Sequence, residues 1–351
     1  MATVQGALLV GSINLPDAET TFRTAAETLG GHLKRVPDGE PGARFHWIAF
    51  QADRIAATPG IERVGDEPVL LKGLDLRPIR VADGVDIASL RLAPLGYADS
   101  ALQSWEQFRA LREAGVIAPG TRFQVSLPTP AAVVGAFVVA EQRAAFEPVY
   151  AAALYGELDR ILAAVPHDDL AIQWDTAVEF AFIEGAGYPE RFGGAYTPWF
   201  DDVWAGVIGR AVEQSRHVPE PVELGYHLCY GDAGEQHFFE PADTANLARF
   251  ANLLAAGVER SIQWVHLPVP IGRDDDAYFA PLDELALGPE TELYLGLVHR
   301  EDLADGARRR IEAAARHAPA FGVATECGIG RAPAETVVPL LGAHAAVATA
   351  W

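Results

Sequence analysis

Short runs of β-branched and aliphatic residues, each closed by a polar side chain, alternate along this chain with Ala-, Leu-, Glu- and Arg-rich stretches of helical character. The apolar runs predict strands over Ala7–Ser12, Leu33–Pro37, Arg122–Leu127, Leu170–Trp174, Val222–His227, Ser261–Leu267, Glu292–His299 and Phe321–Cys327. Helices are expected between them, over Asp17–Leu29, Pro130–Val165 with a break, Trp199–Arg216, Pro241–Ala256 and Arg300–His317. Such alternation builds βαβ units and a mostly parallel sheet. Eight strands in 351 residues, with no low-complexity linker, fit one domain over residues 1–351. The expected architecture is a (β/α)8 TIM barrel with insertions and an active site at the C-terminal ends of its strands. Further extended segments within Lys72–Tyr97 predict an excursion from the barrel. A doubly wound open sheet is the alternative. No Gly-rich phosphate turn follows the first strand, and Gly328-Ile329-Gly330 lacks the third glycine of such a turn.

Charge narrows the function. The chain has 27 Lys and Arg against 48 Asp and Glu, a net charge of −21. A polyanion of this kind repels phosphate backbones and anionic lipid, which argues against nucleic-acid and membrane-surface binding. The triplet Arg308-Arg309-Arg310 does not reverse this, since it lies among Glu and Ala in a helical stretch and reads as a solvated face. No apolar run approaches the ~20 residues that span a bilayer, and Met1–Gly11 has neither the charged start nor the cleavage site of a signal peptide. Two cysteines exclude a disulfide scaffold. A cytoplasmic enzyme is expected, with homo-oligomerisation left open.

The residues closing the strands carry the candidate chemistry: Ser12, Asp38 with Glu40, Asp175, His227 with Cys229, His266, His299, and Glu326 with Cys327. In a barrel these converge on one face. On a strand, positions i and i+2 share a side, so His227 and Cys229 point the same way. The only other cysteine, Cys327, closes another strand. A cytosolic cysteine is usually a small buried hydrophobe, but keeping only these two, one beside a histidine, points to Zn2+. Two thiolates and one imidazole, with a fourth position shared or open, make a catalytic rather than a closed structural zinc site. Asp274-Asp275-Asp276 reads as a solvated loop rather than a cation site. The scattered tryptophans read as core, and His32, His46, His217, His237, His317 and His344 as surface or core.

Val10-Gly11-Ser12, Asp38-Gly39-Glu40, Ile172-Gln173-Trp174-Asp175, His227-x-Cys229, Gly296-Leu297-Val298-His299 and Glu326-Cys327-Gly328-Ile329 together resemble, in order and spacing, the catalytic barrel of cobalamin-independent methionine synthases. This group lies within the wider set that also holds uroporphyrinogen decarboxylase. The resemblance implies zinc-activated alkylation of a small thiol, homocysteine- or cysteine-like, as a zinc thiolate. By resemblance, His227, Cys229 and Cys327 bind the metal. Gly11, Ser12, Glu40 and Asp175 match the segments that hold the thiol's carboxylate and amino group, and His299 matches a histidine used in proton transfer.

The sequence also departs from the family. Its glutamate ligand reads His266 here, expected as the fourth ligand with water as the alternative. The family's Asp-Glu-Pro reads Asp175-Thr176-Ala177, and the folate-stacking segment has no counterpart in Ser126-Leu127-Pro128-Thr129-Pro130. One barrel is expected here, where the full-length synthases carry a second, N-terminal one. The expectation is therefore a methyl or alkyl transferase with an unidentified donor: a methylated corrinoid or pterin, a sulfonium or an epoxide. A zinc-dependent C–S lyase or decarboxylase on the same barrel is the second reading. A zinc-binding scaffold is the third, and it gives no reason to keep Ser12, Glu40, Asp175 and His299 around the metal.

Overall fold

The structure, a computed structural model, describes residues 2–187, 196–231 and 236–351. All eight expected strands are present: β1 (Thr3–Leu8), β2 (Arg35–Pro37), β3 (Arg122–Pro128), β4 (Leu170–Thr176), β5 (Glu223–Leu228), β6 (Trp264–Pro268), β7 (Glu292–Gly296) and β8 (Ala320–Ala324). They form one curled, all-parallel sheet in the order β1-β8-β7-β6-β5-β4-β3-β2, surrounded by helices.

The expected closed barrel is not formed by hydrogen bonding, because among the described residues no ladder joins β1 to β2. The reason is local. β2 is only three residues long and ends at Pro37, which has no N–H to give. Beyond both strands, the Ile13 N–H donates to the Gly39 carbonyl at 2.9 Å. Gln124, from β3, donates its amide to the Leu9 and Val10 carbonyls at 3.0 and 3.3 Å, satisfying acceptors that a neighbouring strand otherwise takes up.

The space enclosed by the sheet is filled in layers. At the N-terminal end, the buried Arg35 guanidinium pairs with Glu223 and Glu292, each at 2.9 Å, and lies 4.2 Å from the Trp264 ring centre. Above it Leu8, Val10, Ala171, Trp264, Tyr294 and Ala324 pack together. Trp264 crosses this layer over Gly225, where any Cβ would come within 1.9 Å of the indole. Asp175, His227 and His266 are successive partners across β4, β5 and β6, so they share one level above that apolar layer.

Three expectations need correction. β1, β7 and β8 end before Ser12, His299 and Cys327, which therefore stand on the loops that follow. The excursion begins earlier than Lys72–Tyr97: Ile61–Arg63 pairs antiparallel with Ile79–Val81 and Leu70–Leu71 with Leu74–Asp75, while Tyr97 opens helix Tyr97–Glu113. The arginine triplet is not wholly a solvated face. Arg310 is fully buried and donates to Asp302 and to the Leu297 and Ile271 carbonyls, both at 2.8 Å. The break in Pro130–Val165 is present, as helices Pro130–Phe137 and Arg143–Ala164.

Candidate metal and substrate site

The C-terminal ends of the strands bring His227, Cys229 and Cys327 together, with their ligand atoms all within 4.8 Å of one another. The two sulfurs are 3.6 Å apart, and Cys327 Sγ is 3.7 Å from His227 Nε2. Tetrahedral zinc with Zn–S of about 2.3 Å and Zn–N of about 2.0–2.1 Å needs such edges to be roughly 3.5–3.8 Å. The donor set and these two edges therefore fit zinc. Each sulfur also faces an N–H, from the Gly231 backbone at 3.3 Å on Cys229 and from Arg331 at 3.8 Å on Cys327. That arrangement suits sulfur carrying negative charge.

His266 does not join this group. Its Nδ1 lies 2.7 Å from His227 Nδ1 and its Nε2 lies 3.0 Å from the Thr325 carbonyl. It thus stands behind His227, with both nitrogens engaged, rather than beside the sulfurs as the expected fourth ligand. Burial pushes the His266 pKa down to about 3 and the His227 pKa well below the ordinary histidine value.

Near Cys327 lie the residues expected to clamp a substrate. A Cβ placed on Gly11 would meet Ser126 Oγ at 3.4 Å and Glu40 Cδ at 3.8 Å. Ser12 packs under Gly328. Glu40 and Trp47 are both non-glycine residues in the left-handed region, with φ of 53° and 49°. Such strain persists only where the surroundings enforce it, commonly around sites. Here the strained Trp47 aims its indole N–H at Asp175 Oδ2 (3.2 Å), and Gln173 donates to Asp175 Oδ1 at 2.8 Å. Asp38 is structural: it accepts from Arg44, Ser104 and the Glu40 N–H. Burial, opposed by Arg44, pushes the Glu40 pKa up to about 7. Burial and then the Glu40 charge push Asp175 well above the carboxylate range. Two buried acids with raised pKa values form a receptor that gains from an incoming cation.

Cys327 also lines a pocket with His237, His299, Arg300, Glu326 and Arg331 among others. His299 Nε2 lies 2.9 Å from the Val269 carbonyl, and its Nδ1 is 3.9 Å from Glu326. Burial, reinforced by Arg310, pushes His299 down to about 4, not near neutrality as a simple acid catalyst requires. His237 contacts Glu326 at 3.0 Å and Glu240 at 2.9 Å. These carboxylates overcome burial and raise its pKa to about 9. Sequence reasoning set His237 aside as surface or core and Trp47 as core, and missed Arg331. Arg331, four residues after Cys327, is the only one of the three with a positional signal.

The triple aspartate is a capping loop. Asp274 meets Arg309, Asp275 caps helix Asp276–Phe279 and holds Arg273, and Asp276 pairs with His317. Among the described residues, no helix is long and apolar enough to cross a membrane.

No protein-family model matches the chain, and no curated protein matches it. Solved structures do share its fold over nearly its whole length. A protein from Listeria monocytogenes assigned as a vitamin-B12-independent methionine synthase is 14% identical with a TM-score of 0.57, covering 99% of this chain and 98% of that one. A B12-independent methionine synthase from Shewanella sp. W3-18-1, solved with selenomethionine, is 13% identical with a TM-score of 0.56, covering 99% and 97%. A methyltransferase from Methanosarcina mazei is 13% identical with a TM-score of 0.51, covering 98% and 93%. The chain thus shares the fold of these proteins. At these identities the likeness is one of fold.

Proposed function

We propose that this chain is a zinc-dependent transferase that passes a methyl or alkyl group to a small thiol carrying an ammonium and a carboxylate. The observation that carries this reading is the convergence of His227, Cys229 and Cys327 at zinc-compatible spacing beside the buried pair Glu40 and Asp175. The fold shared with B12-independent methionine synthases and a methyltransferase supports it.

Zinc, when bound, lowers a substrate thiol's pKa so that the sulfur is nucleophilic at neutral pH. The chain's own residues do the rest. Glu40 and Asp175 hold the ammonium, whose charge offsets the cost of ionising them. Ser12 and the neighbouring backbone hold the carboxylate. Trp47 and Gln173 fix the Asp175 carboxylate in place. The donor enters the pocket that Cys327 lines, where His299, Glu326 and His237 stand in contact. His237 is the member of this trio that carries a proton at neutral pH. His299 delivers that proton to the donor's leaving atom as negative charge develops there.

The test incubates zinc-loaded protein with homocysteine, cysteine or ethanethiol, each with and without a methylated corrinoid, a methylated pterin, a sulfonium or an epoxide. S-alkylated amino-acid thiol formed only when both partners are present supports the reading. Cleavage of a thiol or thioether without a donor overturns it. Asp175→Asn should weaken binding of the amino-acid thiol by ~1–3 kcal/mol and leave ethanethiol unaffected.

A further inference from the structure

We infer that His266 is a positioning residue for the metal centre: it fixes the tautomer and the ring plane of His227, and leaves the zinc with three protein ligands and one exchangeable position. The inference rests on reading His227, Cys229 and Cys327 as a zinc set, and it goes beyond that reading by assigning the residue behind it.

The Thr325 carbonyl can only accept, so the His266 nitrogen 3.0 Å from it, Nε2, carries the hydrogen. A neutral imidazole carries one ring hydrogen, so with that hydrogen on Nε2 the His266 Nδ1 is an acceptor. The short 2.7 Å contact between the two Nδ1 atoms then requires His227 Nδ1 to be the donor. A neutral His227 with its hydrogen on Nδ1 presents a bare lone pair at Nε2, the nitrogen that lies 3.7 Å from Cys327 Sγ.

The fold fixes this line at both ends. His227 and His266 are register partners across β5 and β6. Thr325 belongs to the same loop as Cys327, and its hydroxyl donates to the Cys327 carbonyl at 2.7 Å. One loop thus supplies a sulfur ligand and the terminal acceptor of the chain that orients the nitrogen ligand. Metal-bound histidines generally give their other N–H to a carboxylate, a carbonyl or water. Here a neutral histidine takes that place. It brings no negative charge toward the metal, so the acceptor side of the site stays less anionic than a carboxylate would make it.

The test uses full-length zinc-loaded protein and three readouts: zinc per chain, zinc affinity by chelator competition, and the zinc-edge X-ray absorption spectrum, in which imidazoles are counted. Wild type should show one zinc with two sulfurs, one imidazole and one light non-imidazole neighbour. His266→Asn, whose Oδ1 can accept from His227 Nδ1 where the ring nitrogen did, should keep that spectrum and stay within roughly threefold in affinity. His266→Leu should keep two sulfurs but lose about 10–100-fold in affinity. Two imidazoles in the wild-type spectrum would make His266 a ligand and overturn the inference, while leaving the zinc reading intact. Unchanged affinity in His266→Leu would equally overturn it. If wild type takes up no zinc at all, the zinc reading fails and the inference falls with it. Should His266→Leu not fold, the wild-type imidazole count and the Asn variant still decide.

Discussion

A Cβ on Gly328 would lie 2.4 Å from Ser12 Oγ, so the loop carrying Cys327 rests directly on the loop that follows β1. The Ile329 N–H donates to the Ser12 carbonyl at 2.7 Å, locking the two loops together. The proposed substrate clamp and the metal loop are therefore one mechanical unit. Gly328→Ala must push Ser12 away, and thiol affinity should fall at least about tenfold while zinc stoichiometry stays at one per chain. Calorimetric titration with homocysteine checks this. Gly342→Ala, in helix Ala334–Val347 with nothing within 4 Å of the new methyl, is the control and should be neutral or slightly stabilising.

Cys229→Ser and Cys327→Ser should each abolish tight zinc binding. A hydroxyl is a poor zinc ligand beside a thiolate, and each change removes one of three protein donors. Cys229 is buried and Cys327 half-buried, and serine leaves each side chain's carbon in place, so the melting temperature of the zinc-free variants should match that of zinc-free wild type within a few degrees. Elemental analysis and thermal melts read the two effects separately. Zinc retained at one per chain in either variant would contradict the assigned ligand set.

Glu179 offers a pH test away from the metal. It is buried in the first turn of helix Val178–Glu184, and burial pushes its pKa up from 4.5 to about 7. An acid whose pKa is raised on folding holds its proton longer in the native than in the unfolded state. Its contribution is therefore intact below pH ~4.5 and is lost as pH rises toward and past ~7. Glu179→Gln keeps the shape without the charge. It should change little at pH 5 and stabilise the protein at pH 8 by up to about 3 kcal/mol, the free energy of a shift of that size. Urea melts at both pH values measure it.

The succession of strands along the chain and the face on which their closing residues meet were legible because continuous apolar runs and strand-end polar residues are local signals. β1 through β8 all fall within or beside the apolar runs that predict them. Other features depend on distant partners and leave no such trace. The role of His266 is set by the Thr325 carbonyl, 59 residues away, and no side-chain identity encodes it. His237 comes from a separate loop and gains its meaning only beside Glu326. Arg310 is indistinguishable in sequence from Arg308 and Arg309, yet the helix phase turns it inward onto Asp302. The open seam between β1 and β2 follows from the shortness of β2, a boundary that apolar patterning over Leu33–Pro37 does not fix.

Proton delivery separates the roles of His299 and His237. Alkyl transfer to a thiolate builds negative charge on the donor's leaving atom, and a leaving group of moderate basicity needs a proton there. His299 lines the donor pocket, but with its pKa pushed down to about 4 it is neutral at rest. His237, pushed up to about 9, remains protonated until pH approaches that value, and Glu326 contacts both rings. The single-turnover transfer rate should therefore hold through neutrality and decline only near pH 9. His237→Asn should remove that basic limb. His299→Asn should keep zinc and thiol affinity but lower the rate by ~10²–10⁴, the usual contribution of a positioned acid. With a sulfonium donor, whose leaving group needs no proton, both substitutions should be nearly silent. Rapid-quench assays across pH with the two donor types check each of these. Loss of zinc in His299→Asn would instead place His299 among the metal ligands.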